Sequence, residues 1–136
     1  MAGIYRRKID SINDDNKDYG QELILDFSDV PKEFFEQHRI KKFTEILAHE
    51  IEMTKGPNYV WGNDKDLGTM HDPSADGISC IQFIMSSSIL CHCIDEEGKV
   101  FVNIFSCKKF DADKAQKCAE KAIGGKLVAI HNIIRK

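Results

Sequence analysis

The sequence predicts an α+β fold: one antiparallel sheet with two helices on one of its faces. Two stretches carry apolar residues at helical spacing, and several shorter stretches read as β runs. The order along the chain is strand, helix, four strands, helix, strand. From Ile78 to Phe105 the strands follow one another through tight turns, which pairs them antiparallel and leaves the helices to gather on one face.

At 136 residues the chain makes one domain with one modest core. Residues 1–18 are polar and read as a loose N-terminal arm, with the domain proper over 19–136. Tyr19 to Phe27 is the first strand. Ser28-Asp29-Val30-Pro31 starts a helix, with Pro in its first turn. Phe34, Phe35, Phe43, Ile46, Leu47 and Ile51 extend that helix from Pro31 to about Met53, where Gly56-Pro57 stops it. Asn58 to Trp61 is a short strand. Gly62 to Asp76 reads as a loop with Trp61, Met70 and His71 at or near its ends. Both a lid over a site and a plain surface loop fit it.

The stretch from Gly77 to Cys107 organises the rest. Ile78 to Met85 is a β run, Ser86-Ser87-Ser88 interrupts it, and Ile89 to Ile94 resumes it. Asp95-Glu96-Glu97-Gly98 is a turn, and Val100 to Phe105 is a further run. Serines between two apolar strands bury no surface, so that corner is a candidate site. Asp111 then caps a helix over Ala112 to Ile123, Gly124-Gly125 ends it, and Lys126 to Ile134 alternates as a last strand. With both helices on one face, the other face is left bare, and a second copy is expected to cover it.

A net charge of -3 gives no reason to expect nucleic acid or a membrane surface as a partner. No apolar run approaches a membrane span and Met1 to Asp15 has no signal-peptide core, so a cytoplasmic protein is expected. The five cysteines do not fall into paired spacings and read as free thiols, most of them core fillers. Cys91-His92-Cys93 invites a metal reading. On a strand, however, Cys91 and Cys93 share one face and His92 points to the other, so no metal site is expected. A serine near a histidine suggests a hydrolase, but no Gly-x-Ser-x-Gly elbow is present.

Gly77-Ile78-Ser79-Cys80, Ser87 five residues before His92, and Cys107 fifteen residues after it behind Phe105-Ser106 share one spacing. That spacing resembles the S-adenosylmethionine decarboxylases, in particular their short prokaryotic class. Glu96 and Gly98 fall where the family has the Glu and Gly of Trp-Pro-Glu-x-Gly, and Asp111-Ala112-Asp113-Lys114-Ala115 resembles its Asp-Pro-x-Lys-Ala. Several positions depart from the pattern, Cys80 among them in place of the first motif's last Gly. Ser86 stands for the family's Glu, Ser88 for its His and Ile94-Asp95 for its Trp-Pro, and Gly20-Gln21-Glu22-Leu23 stands where relatives have Gly-x-His-Leu.

The resemblance implies self-cleavage between Ser86 and Ser87, which turns Ser87 into a pyruvoyl group that binds substrate amine as a Schiff base. It gives processing roles to His92 and Ser79, makes Cys107 the proton donor, and aims Glu96 at the ribose hydroxyls of S-adenosylmethionine. Taken alone, Cys107 fits equally well as a small hydrophobe at a strand end, and Glu96 as a turn carboxylate. The resemblance also implies a homodimer of α-β-β-α layers with sites at the interface, supplying spermidine synthesis. On an uninterrupted strand Ser79 and Ser87 would lie about 26 Å apart, so Ser87 and Cys107 of one subunit are expected to face Ser79 and His92 of the other. Two alternatives stay open: the same fold and cofactor acting on another amino acid such as arginine or ornithine, and an uncleaved, non-catalytic relative.

Overall fold

The computed structural model describes residues 18–62 and 77–136, and the backbone of residues 5–7. Its strands are β1 (Tyr5–Arg7), β2 (Gly20–Ser28), β3 (Lys55–Gly62), β4 (Ile78–Ile84), β5 (Ser87–Ile94), β6 (Lys99–Ser106) and β7 (Lys126–Arg135). Its helices are α1 (Gln37–Glu50) and α2 (Ala112–Ile123). The strands form one sheet in the order β1-β7-β2-β6-β5-β4-β3. Every pairing from β7 to β3 is antiparallel, as expected. The short β1 adds to β7 in parallel, an edge pairing that the polar N-terminal sequence gives no hint of. Met70 and His71 lie outside the described residues.

Alternation along the strands decides which face the helices cover. Leu23, Leu25 and Phe27 of β2, Ile89, Cys91 and Cys93 of β5, and Val100, Val102 and Ile104 of β6 are all buried under the helix layer. Ile40, Phe43 and Leu47 of α1 and Ala115, Ala119 and Ile123 of α2 close that core from above. Alternating residues on the opposite face have no helix over them. There Tyr59, Trp61, Phe83 and Phe101 stay exposed, over a third of each in contact with solvent. Toward β2 and β7 the same face also carries charge, where Glu22 pairs with Arg135 and accepts from Asn103.

The first helix starts later than periodicity predicts. Lys32–Phe35 is a 3-10 turn, and Glu36 is extended, with φ -71° and ψ 133°. That break turns Phe34 inward, edge-on to Phe43 at 5.8 Å between ring centroids. The second helix follows its sequence signals closely: Asp111 accepts from the Lys114 N–H at 3.0 Å, and Gly124 and Gly125 both have positive φ at its end. At Gly125 a Cβ would meet the Ser28 carbonyl oxygen at 2.6 Å, so only glycine lets the chain enter β7 there. Among the described residues no helix is long and apolar enough to cross a membrane.

Ile104 is fully buried at the centre of the helix-side core. Replacing it with alanine should lower unfolding free energy by about 2–5 kcal/mol, read from urea denaturation with an unchanged m-value.

Candidate active site

Ile84 and Ser87 are paired across β4 and β5, so Met85 and Ser86 alone make the turn between them. The run of serines is therefore not an interruption, because Ser87 and Ser88 already belong to β5. A tight turn of type II places its second central residue at positive φ. Here Ser86 supplies it with φ 58°. A non-glycine residue in that region costs on the order of 1 kcal/mol. The strain in this turn thus falls on the residue before Ser87.

Neighbouring elements hold the turn from both sides. The Met85 N–H donates to the Thr54 carbonyl at 3.1 Å, just after α1. The Cys107 N–H donates to Ser87 Oγ at 2.9 Å, just after β6. The Cys107 thiol lies over the Met85 carbonyl at 3.8 Å. Ser87 and Cys107 meet because β5 and β6 run antiparallel with Ser88 opposite Phe105.

Ser79 and His92 form a second pair. They are cross-strand partners on β4 and β5, and Ser79 Oγ lies 2.8 Å from His92 Nδ1. Because the hairpin doubles back, Ser79 sits level with His92, five residues along β5 from Ser87, or about 16 Å. The separation of about 26 Å expected for an uninterrupted strand does not apply. The two pairs also leave β5 on opposite sides. Ser87 shares the parity of the buried Ile89, Cys91 and Cys93, whereas His92 stands exposed on the face without helices. One chain therefore brings Ser87 to Cys107 and Ser79 to His92, but not the two pairs together. Glu96 is exposed in a 3-10 turn over Asp95–Glu97, at the far end of the β5–β6 hairpin from Ser87.

The cysteines separate into buried and accessible groups. Burial pushes the Cys80 thiol up, partly offset by hydrogen bonds with Thr44 and Asn58. The hydrogen bond with Cys93, then burial, holds the Cys91 thiol well above its ordinary value. Their sulfurs are 3.7 Å apart beneath the helices. Cys118 on α2 is raised by burial and by Glu50. Cys107 is only half-buried at the end of β6.

Sequence reading missed two contributors. A cavity of about 490 Å³, lined by Lys55, Pro57, Tyr59, Phe83 and Met85 among others, opens beside the turn. Its aromatic pair, Tyr59 and Phe83, meets edge-on at 6.4 Å between centroids. Gln82 is buried in the middle of β4. One polar residue inside the apolar run Ile81-Gln82-Phe83-Ile84 was the available signal.

The family described as "S-adenosylmethionine decarboxylase" matches the chain over residues 21–136. No curated protein matches it. Among solved structures, the adenosylmethionine decarboxylase from Aquifex aeolicus VF5 is similar in fold. Its TM-score is 0.64 at 17% identity, over 88% of this chain and 90% of that one.

Thiol chemistry gives a direct check on this arrangement. With iodoacetamide at pH 7.5, Cys107 should be labelled first. Cys80 and Cys91 should react only after denaturation, because burial raises their thiols and leaves little thiolate. Peptide mass mapping over time reads the order.

Proposed function

The chain belongs to the S-adenosylmethionine decarboxylase family, and on that premise we propose that it is a cytoplasmic, homodimeric, pyruvoyl-dependent decarboxylase of S-adenosylmethionine. It makes its own prosthetic group by cutting between Ser86 and Ser87, and its product serves spermidine synthesis. One observation carries the reading: the Ser87 hydroxyl receives the Cys107 N–H at a turn whose preceding residue has left-handed backbone.

The residues present fit that group. Ser87 Oγ attacks the carbonyl carbon of Ser86, its proton passes to the departing amide nitrogen, and the peptide bond becomes an ester. Removal of the Cα proton of residue 87 then expels the Ser86 carboxylate. Hydrolysis of the resulting enamine releases ammonia and leaves the pyruvoyl group at position 87. Relief of the left-handed Ser86 turn favours the first step. The finished group supplies an electron sink during loss of carbon dioxide. Cys107, half-buried beside residue 87, is the proton donor to the substrate carbon.

His92 and Ser79 act in processing, their hydrogen bond holding the imidazole in one orientation. They lie about 16 Å from Ser87 in their own chain, so the partner subunit's His92 and Ser79 serve the turn. The exposed aromatic residues on the bare sheet face, Tyr59, Trp61, Phe83 and Phe101, supply the apolar surface for that pairing. Glu96, exposed in the Asp95–Glu97 turn, receives the ribose hydroxyls of the substrate.

A second reading keeps the cofactor and changes the substrate to an amino acid such as arginine or ornithine. Ile94-Asp95, standing where relatives have Trp-Pro, favours it.

Denaturing mass spectrometry tests the cleavage. The wild-type chain should yield two pieces split between 86 and 87, the C-terminal one shortened by loss of ammonia. Ser87→Ala should remain a single 15.5 kDa species. A wild type that also stays at 15.5 kDa after long incubation identifies an inert relative. Carbon dioxide release from labelled S-adenosylmethionine, against labelled arginine and ornithine, then decides the substrate.

The assembly has its own check. Light scattering should give a mass twice the 15.5 kDa of the chain. Phe101→Asp, on the bare face and away from the turn, should give folded monomer and slow the cleavage at least tenfold.

A further inference from the structure

Gln82 is almost fully buried in β4, a costly position for an amide unless every polar atom is bonded. Its nitrogen donates to the carbonyls of Gly56 at 3.0 Å, Pro57 at 3.4 Å and Phe83 at 2.8 Å. Its oxygen accepts from Asn58 Nδ2 at 2.9 Å, and that same amide reaches Thr44 Oγ1 at 3.0 Å.

These bonds lie where β3 and β4 lose register. Lys55 pairs with Ile84 and Asn58 with Gln82, so β3 carries one residue more than β4 in that interval. This is a β-bulge at Gly56-Pro57, and proline has no N–H to give to the ladder. The bulge carbonyls would lack a regular cross-strand donor, and the Gln82 amide supplies one from the side. Toward the turn, only Lys55 remains paired on β3 beyond the bulge. The next contact is the Met85 N–H on the Thr54 carbonyl, which clamps the turn. A slip of one residue at the bulge would carry Thr54 away from Met85 and reverse the faces that follow.

We propose that Gln82 is a positioning residue for the turn that is cut: its carboxamide locks the β3 bulge, and the locked bulge fixes the Thr54–Met85 contact that holds Ser86 in its left-handed conformation. The link to cleavage rests on the function proposed above. The hold on the turn does not.

Two variants of the full-length chain separate this role from general stability. Gln82→Met keeps the length and removes the amide. Thr44→Val removes a hydroxyl from the same buried network without touching the bulge carbonyls. Hydrogen exchange at the Met85 amide should accelerate at least tenfold in Gln82→Met and stay within twofold of wild type in Thr44→Val. The rate of cleavage between 86 and 87 should fall at least tenfold in Gln82→Met only. Equal Met85 exchange in Gln82→Met and wild type overturns the proposal, as does equal cleavage in a wild type that cleaves. If the wild type does not cleave, the functional reading fails by itself and the exchange result still decides the role of Gln82. Should Gln82→Met fail to fold, Gln82→Glu replaces it. Its protonated carboxyl donates to one carbonyl and its carboxylate to none. Met85 protection relative to wild type at the same pH should therefore hold at low pH and disappear as pH rises. Protection that does not change with pH overturns the proposal.

Discussion

The pairing of β5 with its two neighbours determines where every candidate residue lies. Its register with β4 puts Ser79 beside His92, and its register with β6 puts Ser87 beside the residue that follows Ser106. Both registers are set by turns rather than by side-chain choice. Met85-Ser86 closes one hairpin in two residues, and Gly98, with φ 64°, closes the other after a single 3-10 turn. Moving either turn by one residue would exchange the two faces of β5, sending His92 into the core and Cys91 into water. The candidate site and the hydrophobic core are thus consequences of the same constraint.

That constraint has a local energetic cost at Ser86. A left-handed serine is disfavoured by on the order of 1 kcal/mol, while each neutral hydrogen bond returns roughly 0.5–1.5 kcal/mol net. The contacts of Met85 with Thr54 and of Ser87 with Cys107 are together enough to hold it. The balance is close, and the proposed cleavage would need a bond that is both ordered and reactive. A glycine at 86 would remove the strain, and with it the push that the proposed rearrangement would draw on.

Much of this was legible in the residues, for identifiable reasons. The second helix could be bounded because its cap and stop are local signals: the Asp111 side chain, then Gly124 and Gly125. The alternation of Cys91, His92 and Cys93 predicted which side each takes, since period two is a property of the strand itself. The start of α1 was hidden because Phe34 packing on Phe43 overrides the helical period at Glu36. The length of β3 was hidden because Gly56-Pro57 reads as a breaker, and only the distant Gln82 amide makes it a bulge inside a strand. The serine run misled for a related reason. Polar residues at a strand start look like a loop until the cross-strand register is known.

What a single chain cannot do follows from the same geometry. Ser87 and His92 are fixed on one strand about 16 Å apart and on opposite sides of it. No rotamer change brings them together, and a bend large enough to do so would break the ladder with β6. If both act on one bond, the imidazole must arrive from another molecule, and the face it stands on is the one that Tyr59, Trp61, Phe83 and Phe101 leave apolar. Apolar surface contributes about 25 cal/mol per Å² when removed from water. Burial of that face and completion of the site would then be one event, and an isolated chain would hold each half of the chemistry without being able to join them.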